Sequence, residues 1–181
     1  MAEENRMTSA PSPQGRRILV AIVTGEAGER IQAWRLQHDA EQALRLPPHT
    51  TLCYWAPNAP AETMERQIRH AFPGPVTVRL GNVAEFKNDQ HTFYVEVVGT
   101  EALEECRRAL YDGTFMTFPT SDSWTWHITV VRDSSERDLE ALRKDVKTLQ
   151  LPYSWHVNRV AYLQLNGERY EELASWDLSS S

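Results

Sequence analysis

Two apolar strands in this chain each open on a histidine followed two residues later by threonine. They are His49-Thr50-Thr51 and His127-Ile128-Thr129, 78 positions apart. Residues i and i+2 of a strand project from one face. His49 therefore shares a face with Thr51, and His127 with Thr129. Each strand lies between helical stretches, so the chain reads as two halves built on one grammar. If the two strands lie side by side about a pseudo-twofold axis, two imidazoles and two hydroxyls converge on one cleft.

The rest of the chain supplies the frame. Arg17 to Thr24 is a β-branched, buried strand. Residues 28–45 read as one helix on a stripe of Ala33, Leu36, Ala40, Ala43 and Leu44, stopped by Pro47-Pro48. His49 to Ala56 is a strand, and residues 61–72 form a helix on Met64, Ile68 and Phe72. Val76 to Phe86 and Thr92 to Val98 form an antiparallel pair that turns at Lys87-Asn88-Asp89. A helix from Glu101 to Tyr111 turns Leu103, Cys106 and Leu110 inward, and Trp126 to Arg132 is a strand. Residues 135–149 form a helix on Leu139, Leu142, Val146 and Leu149, with Ser134 or Ser135 as its cap. Val157 to Leu165 turns at Asn166-Gly167 into a last strand, Tyr170 to Trp176. Residues 1–15 are polar, without periodicity, and are expected to be a disordered tail. The expectation is an α+β domain over residues 16–178, with lobes at about 16–99 and 100–178 by sequence order.

Composition narrows the function. A chain of 181 residues that is 41% hydrophobic can bury a core without staples. Cys53 and Cys106 make no disulfide framework, and no C-x-x-C is present. The longest apolar run, Ile18 to Val23, is far short of the roughly 20 residues that span a membrane. The first fifteen residues lack the apolar core of a signal peptide. A monomer in the reducing cytoplasm, without membrane contact, is expected. The net charge is −6, with 11 acids against 10 bases in residues 1–99 and 14 against 9 in residues 100–181. No basic stripe exists to hold a long nucleic acid by counterion release. A small anionic ligand held in a local pocket is not excluded.

Paired histidines suit in-line displacement at a phosphodiester. One imidazole takes the proton of the nucleophile, the other protonates the leaving oxygen, and threonine hydroxyls donate to the non-bridging oxygens. No metal is required if imidazole serves both sides, and no metal-ligand spacing such as H-E-x-x-H occurs.

The stretches PPHTTLCYW (47–55) and WHITVVR (126–132) resemble the paired signature of the 2H phosphoesterase superfamily, nearest its 2′–5′ RNA ligase and cyclic phosphodiesterase branches. The resemblance implies a bilobal fold, two antiparallel-rich sheets around a central cleft with helices outside. It implies metal-independent opening of 2′,3′-cyclic phosphates, or cleavage or joining of 2′–5′ linkages, without a cofactor. His49 and His127 are then acid and base, Thr51 and Thr129 phosphate ligands, and Arg132 a substrate contact. Arg132 stands an odd five residues after His127, so on an ideal strand it faces away. It reaches the phosphate only if the strand ends or twists near Asp133-Ser134-Ser135.

Trp55 has the parity of His49 and can stack on a base. Tyr54 is a second stacking candidate, although its parity turns it toward the helices behind. Trp126 is read as core. Two rival readings remain: a non-catalytic module binding a nucleotide or RNA end in the same cleft, and a thiol hydrolase using Cys53, which by parity faces with His49.

Overall fold

The computed structural model describes residues 15–54, 56–86, 91–111, 124–132 and 138–178. The expected tail lies outside them but for Gly15, and Trp55, the turn at 87–89, Ser134 and Ser135 lie outside them entirely. The chain runs β1 (Arg17–Ile22), α1 (Gly25–His38), α2 (Ala40–Arg45), β2 (His49–Cys53), α3 (Ala61–Ala71), β3 (Val76–Phe86), β4 (Thr92–Val98), α4 (Glu101–Leu110) and β5 (His127–Val131). It ends with α5 (Leu139–Asp145), a short 3-10 turn (Val146–Thr148), β6 (Ser154–Val157), β7 (Arg159–Asn166) and β8 (Arg169–Asp177).

The strands form two four-stranded antiparallel sheets, ordered β2-β1-β7-β8 and β5-β4-β3-β6. Each sheet takes two strands from either side of residue 99, so the sheets cut across the sequence-order boundary. One apolar cluster joins them: Leu19, Ala21 and Val160 from the first sheet pack with Val78, Val95 and Ile128 from the second. The helices close this core. Helix α3 buries Met64, Ile68 and Ala71, and α4 buries Leu103, Cys106 and Leu110, as the 3.6-residue period requires. A smaller cluster of Ile18, Val20, Leu46, Ala161 and Leu163 covers the opposite face of the first sheet. No described helix is long and apolar enough to cross a membrane.

Three expectations need correction. The helix read over 28–45 is two helices, broken at Asp39 (φ −154°, ψ 65°), whose carboxylate caps α2 through the Gln42 amide. A short acid competes with the helix for backbone donors and is better used as a cap. The stripe also moves: α1 buries Ala27, Gly28, Ile31, Trp34 and Arg35, while Leu36 and Leu44 are 48% and 59% exposed. The reason lies in Gly28, where a Cβ would overlap the Val23 carbonyl oxygen; close approach to the residue that follows β1 chooses the buried face.

The strand read from Val157 is also two strands, because Asn158 passes the chain from the second sheet to the first. The Asn158 carbonyl accepts from the Leu178 amide at 2.7 Å at that crossing. Helix α5 starts at Leu139 on an Asp138 cap, which accepts from the Glu140 and Ala141 amides. The β7–β8 hairpin turns at Gly167 (φ 60°), next to the Asn166–Arg169 pair.

Gly28→Ala is expected to destabilise the protein by about 1–3 kcal/mol, because overpacking against backbone outweighs the roughly 0.5–1 kcal/mol that alanine gains inside a helix. A urea titration reads this as a lower midpoint at unchanged slope.

Candidate active site

Strands β2 and β5 are the outer strands of their sheets, and they lie against one another. Register fixes which side chains meet between them. On β2, Thr51 pairs with Val20 and His49 with Ile22; on β5, Thr129 pairs with Tyr94 and His127 with Glu96. Each histidine therefore shares a face with its threonine, as the period of two requires.

Both strands then break that period in the same way. From Thr51 to Cys53 is two residues on β2, but the partners Val20 and Leu19 are adjacent on β1. From Thr129 to Val131 is two residues on β5, but the partners Tyr94 and Phe93 are adjacent on β4. Each is a β-bulge, which opposes two residues to one and shifts the alternation beyond it. Leu52 and Cys53 both enter the core, and so do Val130 and Val131. The fifth residue after each histidine, Tyr54 or Arg132, returns to the histidine face.

One cavity of about 400 Å³ is consequently lined by His49, Thr51, Tyr54, His127, Thr129 and Arg132. The bulges bring Arg132 and Tyr54 to the cavity face, from which strand parity alone turned them away. The same shift turns Cys53 away from His49, which removes the thiol pair. The carbonyl of Leu52 in the first bulge accepts from Arg107 Nε and the Tyr111 hydroxyl, each at 3.2 Å. A bulge interrupts its ladder, so a buried carbonyl there needs such partners. Trp126 is core as read, with its indole N–H donating to Glu104.

The two imidazoles are oriented alike. His49 Nδ1–H donates to the Pro47 carbonyl at 2.8 Å, and His127 Nδ1–H to the Thr125 carbonyl at 2.8 Å. A carbonyl only accepts, so each Nδ1 carries hydrogen and each Nε2 is left for proton exchange. Burial pushes the His49 pKa down to about 4, with Arg35, His127 and Arg132 adding positive charge nearby. Burial also lowers His127, again with help from Arg132. Both rings are thus neutral at pH 7. Phe86 and Tyr94 stack at 4.0 Å and meet the His127 ring edge-on at 5.0 and 5.6 Å, which holds it in place.

Two supporting residues lay outside the sequence reading. Asp39, at the α1–α2 break, accepts from the Arg132 amide at 2.8 Å and from Gln42 at 3.3 Å. It thereby ties the end of β5 to α2. Arg35, fully buried, donates from Nη2 to the Gln42 and Leu46 carbonyls at 2.6 and 2.7 Å. Its pKa falls to about 10 through burial, against the pull of Asp39. These contacts hold the segment that leads into His49. A cap signature, Asp39 followed three residues later by Gln42, was the available signal in the sequence.

Two imidazoles and two threonines from the edges of paired antiparallel sheets line one cavity, the arrangement that the resemblance to 2H phosphoesterases implies. The sequence profile of the 2′-5′ RNA ligase superfamily matches residues 24–169, and the chain belongs to that superfamily. No curated protein matches the chain. Among solved structures it is similar to apo LigT of E. coli, at a TM-score of 0.56 and 18% identity over 91% of this chain and 98% of that one. A crystal structure titled as a phosphoesterase aligns at a TM-score of 0.54 and 18% identity, covering 91% and 99%. LigT of E. coli with 3′-AMP aligns at 0.51 and 17%, covering 91% and 98%. At such identities the likeness is one of fold.

Proposed function

We propose that the protein is a metal-independent phosphodiesterase that opens 2′,3′-cyclic phosphates, or acts on 2′–5′ linkages, at nucleotides or short RNA ends. The observation that carries this reading is the pair of Nε2 atoms, each set by a backbone carbonyl behind it, on a cavity that also holds two threonines and Arg132. In hydrolysis, one Nε2 takes a proton from water as its oxygen bonds phosphorus. The other Nε2 gives a proton to the ribose oxygen as its bond to phosphorus breaks. Thr51, Thr129 and Arg132 donate to the non-bridging oxygens as charge builds there. That a structure of the same fold was solved with 3′-AMP supports a nucleotide-sized ligand.

The two environments support one assignment of acid and base. Burial, with Arg35, His127 and Arg132 nearby, keeps His49 unprotonated, which suits it to the base; His127, lowered by burial and by Arg132, is assigned the proton of the acid. A bound phosphate favours the imidazolium, because an opposite charge close by raises the pKa.

Two tests follow. Turnover of a 2′,3′-cyclic nucleotide should survive EDTA, and its complete loss there overturns the metal-free reading. The pH profile of kcat/KM should be a bell with its maximum on the acid side of neutrality. Below about 4 His49 is protonated and no base remains. Above the lowered pKa of His127 no acid remains in the free protein. A profile that keeps rising through pH 8 contradicts the assignment.

A non-catalytic module would use the same cavity. Firm binding of a cyclic nucleotide with no product after long incubation selects that reading instead.

A further inference from the structure

The cavity is more positive than one phosphate requires. Besides Arg132 it is lined by Arg16 and Arg45, and no described aspartate or glutamate lines it, in a chain whose net charge is −6. The carboxylate of Asp39, behind the wall, is directed at the backbone donors of Gln42 and Arg132.

Strand register locates the extra charge. On the cavity face of the first sheet, Thr51 pairs with Val20, one row on lies Ile18, and the next row begins at Arg16. The Leu165 amide donates to the Arg16 carbonyl at 2.8 Å, and Leu165 pairs with Tyr170, so Arg16 and Tyr170 stand in one row across β7 and β8. That row lies four positions along the strand from the row of Val20 and Thr51, about 13 Å of backbone. Arg16 donates from Nε and Nη2 to the Tyr170 hydroxyl oxygen, at 3.2 and 2.5 Å. That oxygen is occupied as an acceptor, so its own hydrogen is available to an anion. Arg45 faces the same cavity from α2.

Resting on the cyclic-phosphate reading above, we infer that Arg16, Tyr170 and Arg45 form a second anion subsite, which takes a phosphate ester on the 5′ side of the terminal ribose. The substrate class is therefore a cyclic-phosphate end that carries a second phosphate. A bare cyclic mononucleoside leaves the Arg16 row unused. Either a 5′-monophosphate or an internucleotide phosphodiester supplies the required charge.

The test compares kcat/KM for four substrates: adenosine 2′,3′-cyclic phosphate, the same with a 5′-phosphate, a dinucleotide ending in that cyclic phosphate, and that dinucleotide with a neutral methylphosphonate linkage. The 5′-phosphate and the charged dinucleotide should each gain about 10-fold or more, the worth of one charge-assisted hydrogen bond. The methylphosphonate should lose that gain. Arg16→Met should lower kcat/KM for the charged dinucleotide about 10-fold more than for the cyclic mononucleoside. Equal rates for all four, or a methylphosphonate as good as the diester, overturn the subsite. Equilibrium binding separates this inference from the reading beneath it. Adenosine 3′,5′-bisphosphate should bind about 10-fold tighter than 3′-AMP, and Arg16→Met should abolish the difference. If no cyclic phosphate is turned over but this difference holds, hydrolysis fails and the subsite stands. If hydrolysis proceeds and the difference is absent, the subsite fails alone.

Discussion

Replacing either cavity histidine by alanine is expected to lower kcat on a 2′,3′-cyclic nucleotide by about 10²–10⁴-fold, the usual worth of a positioned acid or base. The two losses should not add. In the proposed displacement acid and base act together, so His49→Ala with His127→Ala should be little worse than the poorer single variant. The pH profiles distinguish them. His49→Ala should lose the limb near pH 4, and His127→Ala the limb at higher pH. Each variant should still bind a nucleoside 3′-phosphate, since Thr51, Thr129 and Arg132 remain on the cavity. Turnover within threefold of the unaltered protein in either variant removes that histidine from the chemistry.

Arg132→Met is the second large effect, expected to lower kcat/KM by about 10²–10³-fold, as for loss of one aimed donor to a developing oxyanion. The size rests on placement. The bulge at Val130 turns Arg132 onto the histidine face, and Asp39 holds its amide there at 2.8 Å. Arg132→Lys should recover only part of the loss, because an ammonium keeps the charge but not the fork. Removing Arg132 also removes one positive neighbour of both imidazoles, so the two limbs of the pH profile should move up in Arg132→Met. Asp39→Ala should act through the same arginine: it leaves the Arg132 and Gln42 amides without this acceptor, and should lower kcat in the same direction as Arg132→Met but by less. Arg132→Met with unchanged kcat/KM and an unmoved pH profile defeats the argument from the bulge.

The residues explain which parts of this structure could be read in advance. Helices α3 and α4 follow from Met64, Ile68 and Leu103, Cys106, Leu110, because one apolar face at 3.6-residue spacing has a single way to be buried. Helix α1 could not be read so. Its buried face is chosen by the approach of Gly28 to Val23 and includes Arg35, a cation that the apolar pattern counts as surface. Tyr54 and Arg132 were misdirected for a related reason. Parity counts residues along one strand, but a bulge is a relation between two strands, and the register that creates it lies in β1 and β4.

The sequence by itself determined the pairing of His49 with Thr51 and of His127 with Thr129, since a period of two acts within three residues and needs no partner. It also carried the two His-x-Thr motifs on which the family resemblance rests. Tertiary structure alone decided that the two strands meet at the edges of different sheets. It alone decided that Arg132 and Tyr54 join the histidines while Cys53 does not, and that Asp39 reaches across 93 residues to the end of β5. Those outcomes depend on register and packing between segments far apart in the chain, and local periodicity carries no information about either.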